Sequence, residues 1–93
     1  MITVVAHCIV KKGYKADFIA AVQDMIAESR NEKGNVSYTL MEDIENEDAV
    51  AFIQEWEDVD AIEEHGNQLH FQEGIRIIRE LIENMDIIRY QAV

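Results

Sequence analysis

Between residues 50 and 71 the chain changes its hydrophobic period within a few positions, and that change limits what it can fold into more than any other feature. Val50, Phe52, Gln54 and Trp56 point to one side of an extended segment, and Ala51, Ile53 and Glu55 to the other. Asp58 stands where a helix N-cap is needed, and Asp60 falls in the first turn, where the helix dipole favours negative charge. His65 follows Ala61 by four positions and Ile62 by three, so they share one helical face. Gly66 is placed to end this helix and Asn67 to cap the next. A strand ending in the single Trp is thus followed by two short-linked helices that bring His65 and His70 back towards it.

The remaining segments fit around this one. Residues 2–10 are β-branched and almost continuously apolar, as in a strand buried on both faces. After the turn Lys11-Lys12-Gly13, the residues Phe18, Ile19, Val22, Met25 and Ile26 form one helical stripe, and Gly34 suits a left-handed residue closing that helix. Val36 to Glu42 is a second strand, with Val36, Tyr38 and Leu40 on one face. An acidic connection, residues 42–48, leads into the strand from Ala49 to Glu57. Phe71, Ile75, Ile78 and Ile82 define the last helix, supported by Leu81 and Met85, and Asp86 to Val93 reads as the last strand.

The order β-α-β-β-α-β is the ferredoxin-like α+β pattern: a four-stranded antiparallel sheet with helices on one face. With no linker and no proline, residues 1–93 read as a single domain. The strands carry apolar side chains on both faces and the helices cover only one, so a second copy of the chain is the expected cover for the other, giving a homodimer.

Composition narrows the partners. The formal net charge of −11 disfavours nucleic acid and anionic membrane surfaces, both of which draw on Lys and Arg. No apolar run approaches the roughly 20 residues of a membrane-spanning helix. Met1 leads directly into a strand pattern without a basic leader region, and the single Cys8 has no internal disulfide partner; a cytoplasmic location is the expectation.

His65 and His70 are the candidate catalytic residues. An imidazole titrates near neutral pH and can take a proton from a phenol or quinol. Each also has a structural reading, His65 as a helix-end cation and His70 as the edge of a core stripe. Trp56 and Phe52 offer flat apolar surface for an aromatic ligand, or simply core. Tyr38 could give a cavity its phenolic hydroxyl. His7, on the Thr3, Val5 and Ile9 face of the first strand, lines either the sheet–helix cavity or a dimer contact. Arg79 lies on a flank of the last helix, whereas Arg76 falls about 160° from Ile78 and faces water. Glu55 needs a partner if it is buried, from Arg89 or from a second chain. Two His five apart do not form a zinc site of defined spacing, and no Gly-rich phosphate loop is present, so no metal or cofactor is expected.

Glu55-Trp56, Ala61, His65, His70 and Phe71 at these spacings, with Gly34 and Tyr38 upstream, resemble the antibiotic biosynthesis monooxygenase family. The resemblance implies a dimer whose two sheets form a barrel, and a pocket bordered by Trp56. It also implies cofactor-independent oxidation of a small aromatic quinol or polyphenol by O2. The haem-degrading branch uses an Asn on the first strand and a ligating His inside the last helix; His7, Cys8, Arg76 and Arg79 stand in those regions here, which disfavours haem. Phe52, Ile53 and Gln54 stand where one type of quinol oxygenase carries an Asn. Two alternatives therefore remain open: an isomerase of a small carbonyl compound, and a non-catalytic dimeric module that binds small molecules.

Overall fold

The computed structural model describes residues 1–93. Its elements are β1 (Ile2–Val10), α1 (Lys15–Ala21), α2 (Gln23–Arg30), β2 (Asn35–Glu42), β3 (Ala49–Trp56), α3 (Val59–Gly66), α4 (Leu69–Leu81) and β4 (Ile82–Gln91). The strands form one antiparallel sheet in the order β2-β3-β1-β4. This is the ferredoxin-like α+β arrangement expected from the period changes.

Alternation along the strands decides where the core sits. Val4, Ala6, Cys8 and Val10 of β1 and Val50, Phe52 and Trp56 of β3 are buried on the helix side, against Phe18, Val22, Met25, Ile26 and Ile78. Thr3, Val5, His7 and Ile9 point to the face that no helix covers and are only half-buried. Within one chain, then, β1 is not buried on both faces. His7 accordingly stands outside the sheet–helix interior.

Several local expectations are corrected. The first helix is divided at Val22, where φ −97° and ψ 0° interrupt regular helix. The i→i+4 bonds Val22 N–H to Phe18 O (3.2 Å) and Ile26 N–H to Val22 O (3.0 Å) persist across the division. Gly34 does not adopt a positive φ; Gly13 alone does, at 87°. Gly34 is instead required by packing, because a Cβ there would overlap the Cβ of Ala61 on α3. Asp58 does cap α3, accepting from Ala61 N–H at 2.8 Å. Asn67 does not cap α4, whose N-cap is Gln68 with no side-chain hydrogen bond.

The last helix ends earlier than its apolar stripe suggests. Ile82 is already extended, with φ −117° and ψ 156°, and pairs with Val10. Pairing along β1 outweighs one further helical turn, because each strand residue gained there satisfies backbone groups that β1 would otherwise leave open. The exposed helix end is closed by Lys11: its N–H donates to Leu81 O and its Nζ to Glu80 O, both at 2.9 Å.

Gly34→Ala should therefore lower stability by about 1–3 kcal/mol through overpacking against Ala61, read as a lower urea midpoint. Gly66→Ala, where an added Cβ meets nothing within 4 Å, should leave the midpoint unchanged or slightly raised.

Candidate functional site

A cavity of about 320 Å3 lies between the helix-side face of the sheet and the helices. Its lining includes Tyr38, Phe52, His65, Phe71, Ile75 and Arg89, and most of the remaining lining residues are apolar. A site of this size, largely apolar with a few polar groups, suits a small organic ligand.

His65 is the cavity's imidazole, and its surroundings determine its state. It is 4 % exposed. Its ring lies between Trp56 (centroids 4.6 Å apart) and Phe71 (4.5 Å), with Tyr38 at 5.8 Å. Those rings restrict the imidazole's orientation. Nδ1 stands 2.6 Å from Glu32 Oε2. Burial lowers the pKa of His65 below the ordinary histidine value, more strongly than the hydrogen bond and charge of Glu32 raise it, and His70 adds a further lowering. The contact is therefore a neutral imidazole donating Nδ1–H to a carboxylate rather than a full ion pair. Nε2 then carries the lone pair, and it is buried with no hydrogen-bond partner. Leaving such an atom unpaired costs about 1–3 kcal/mol.

Glu32 serves a second imidazole. His70 Nε2 stands 2.8 Å from the same Oε2 atom. Glu32 lies in the connection after α2, His65 in the last turn of α3, and His70 in the first turn of α4. One carboxylate oxygen thus links three segments that are far apart in sequence. Its side chain is only 11 % exposed, although it belongs to an acidic stretch that reads as a solvated face. On the outer side of this cluster lies an open polar groove, lined by Glu32, His70, Glu28, Glu57, Asp60 and Glu64 among others.

The structure brings together His65, His70, Tyr38 and Phe52, with Tyr38, Phe52 and His65 on the cavity wall and His70 on the groove. Tyr38 is buried, and burial together with the charge of Glu32 holds its phenol well above the usual tyrosine range. Trp56 does not line the cavity; it sits behind His65 with Nε1–H donating to Gln54 Oε1 at 3.0 Å. His7 is on the opposite face of the sheet, and Arg79 is on the exposed side of α4, away from the lining. Glu55 accepts from Ser37 Oγ at 3.0 Å and not from Arg89. Arg89 pairs in register with Val4 and so belongs to the cavity face of the sheet.

Sequence reasoning missed Glu32 and the cavity role of Arg89. Nothing local distinguishes Glu32 from its acidic neighbours, and Arg89 is identified only by the register of β4. The lack of a spacing signal for a metal had the same origin: a third donor arrives from a distant loop. The donor atoms of Glu32, His65 and His70 lie within 4.8 Å of one another.

Glu32→Ala should lower stability by about 2 kcal/mol, because two largely buried imidazoles lose their acceptor. Glu64→Ala, at an exposed position on the same groove, should leave the urea midpoint within about 0.5 kcal/mol of the parent.

The family profile for "Antibiotic biosynthesis monooxygenase" matches residues 1–77. A Bacillus subtilis protein named "Putative monooxygenase YcnE" is 30 % identical over 90 residues, spanning 96 % of this chain and 95 % of that protein. A conserved protein from Methanosarcina mazei superposes with a TM-score of 0.95 at 26 % identity, covering 99 % of this chain and 92 % of that one. A crystal structure described as an antibiotic biosynthesis monooxygenase, at 22 % identity, shares the fold with a TM-score of 0.93 over 100 % of this chain and 99 % of its own. By its sequence profile and its relatives, the chain belongs to the antibiotic biosynthesis monooxygenase family.

Proposed function

We propose that this protein is a monooxygenase acting on a small aromatic quinol or polyphenol, with O2 as oxidant and His65 as the general base. One observation carries the reading: a neutral imidazole held by Glu32, with an unpaired buried Nε2, in the wall of an apolar cavity. Family membership supports the reaction class, and the YcnE name points the same way.

The chemistry needs few protein groups. Nε2 takes the proton of a substrate hydroxyl, and the carboxylate of Glu32 stabilises the imidazolium that forms. The electron-rich anion then reduces O2 by one electron, and the radical pair combines at a ring carbon as a peroxide. Loss of that carbon's hydrogen and cleavage of the O–O bond leave a carbonyl, and His65 returns its proton to the departing oxygen as water. For a quinol the balance is quinol plus O2 giving hydroxyquinone plus water. The substrate supplies all four electrons, so the step requires no outside reductant. Phe52, Tyr38 and Phe71 would hold the ring, Trp56 would keep His65 in orientation, and Arg89 would stabilise the anion.

A homodimer completes this proposal. Val5, Ile53, Ile88, Tyr90 and Met41 share the face of the sheet that the helices leave open, and Ile88, Tyr90 and Met41 are about half exposed. A contiguous apolar face of this kind suits a second copy.

Oxygen uptake by metal-stripped protein with reduced naphthoquinones and polyphenols should exceed the autoxidation blank and fall at least about 100-fold in His65→Ala. Uptake no greater than the blank for every substrate would overturn the oxidase chemistry. Sedimentation should give the mass of two chains, and Ile88→Asp should shift it towards one; a monomeric parent would remove the dimer.

A further inference from the structure

We propose that Glu32, His65 and His70 form a binding site for one first-row divalent cation of the zinc class, at the boundary between the cavity and the acidic groove. The inference is independent of the oxygenase reading, although both involve His65.

The donor set is the first support. Two imidazole nitrogens and one carboxylate oxygen are the ligands that zinc and iron(II) take in open three-residue sites, while calcium and magnesium prefer oxygen alone. His65 offers Nδ1, His70 offers Nε2 and Glu32 offers Oε2, all within 4.8 Å of one another. The present separations from Oε2, 2.6 Å and 2.8 Å, are hydrogen-bond lengths. Around zinc, with bonds of about 2.0–2.1 Å in a tetrahedron, donor atoms stand about 3.3 Å apart. Reaching that arrangement requires the two N···O separations to open by roughly half an ångström and the two imidazole nitrogens, which set the 4.8 Å span of the cluster, to draw together.

Its surroundings are the second support. The side chains of Glu32 and His70 are 11 % and 18 % exposed and both reach the groove, so a fourth position can be filled by water. Glu28, Glu57, Asp60 and Glu64 line that groove, where Lys33 is the single cationic residue. Clustered carboxylates at its walls raise the local concentration of cations. The third support is the freedom of His65. A cation on Nδ1 requires the ring proton to sit on Nε2, and Nε2 has no partner to resist that tautomer. Cation and proton therefore compete for one nitrogen. In the cation-bound state His65 presents a donor to the cavity, and in the free state an acceptor.

Cobalt(II) is the probe, because low-coordinate Co2+ bound by imidazole absorbs in the visible. Titrating the full chain with Co2+ should give a band that saturates at one ion per chain and is displaced by Zn2+. Both Glu32→Gln and His70→Ala should weaken binding at least about 10-fold, while Asp60→Asn should leave it within a few-fold. Zn2+ should also raise the thermal midpoint of the parent and not of His70→Ala, a readout that stays valid if Glu32→Gln is poorly folded. No saturable band, or a band unchanged in both ligand variants, would overturn the site. Neither substrate nor O2 enters these measurements, so their outcome is separable from that of the uptake assay.

Discussion

The shared Oε2 atom of Glu32 is the contact on which the site depends. It accepts from His65 at 2.6 Å and from His70 at 2.8 Å, and so ties the α2–β2 connection to both α3 and α4. Neither helix is anchored to that connection by a comparable side-chain bond elsewhere. A carboxylate in this position is stabilised by the two N–H donors it receives. Close packing of Gly34 against Ala61 brings the same connection up to α3 through van der Waals contact. The polar bond and the glycine contact act together: the second sets the approach that lets the first reach hydrogen-bond length.

Around this link the molecule separates its two kinds of surface. The helix face of the sheet carries the core and, at its less filled end, the cavity with Tyr38, Phe52 and Arg89. The opposite face carries Val5, Ile53 and Ile88 with no covering element. His7 belongs to the second surface, and His65 to the first. Two histidines that look equivalent in composition therefore have different environments, and the strand's two-residue period separates them.

Much of the architecture was legible in sequence because it rests on local periodicity. The switch after Trp56, the cap at Asp58 and the alternation of Val50, Phe52 and Gln54 all depend on neighbours within a few positions. Errors fell where a longer-range contact competed with a local preference. The end of α4 is set by strand pairing of Ile82 with Val10, and the need for glycine at position 34 is set by Ala61 rather than by backbone conformation. Of the candidate site, Tyr38, Phe52 and His65 were readable as residues facing an interior, whereas Arg89 was read only as a partner for Glu55, because a helical wheel, which set Arg79 above Arg76, says nothing about the register of a distant strand.

The sequence by itself determined the order of elements, which side of β3 faces inwards, and that His65 lies on the apolar face of its helix. Those are consequences of 3.6- and 2-residue periods acting over short distances. Only the tertiary structure decided that Glu32 meets both His65 and His70, 33 and 38 residues away, that Trp56 backs the imidazole instead of lining the cavity, and that Arg89 reaches the lining. The reason is physical: a hydrogen bond between side chains depends on distances that packing sets, and packing between distant segments leaves no periodic trace in the chain.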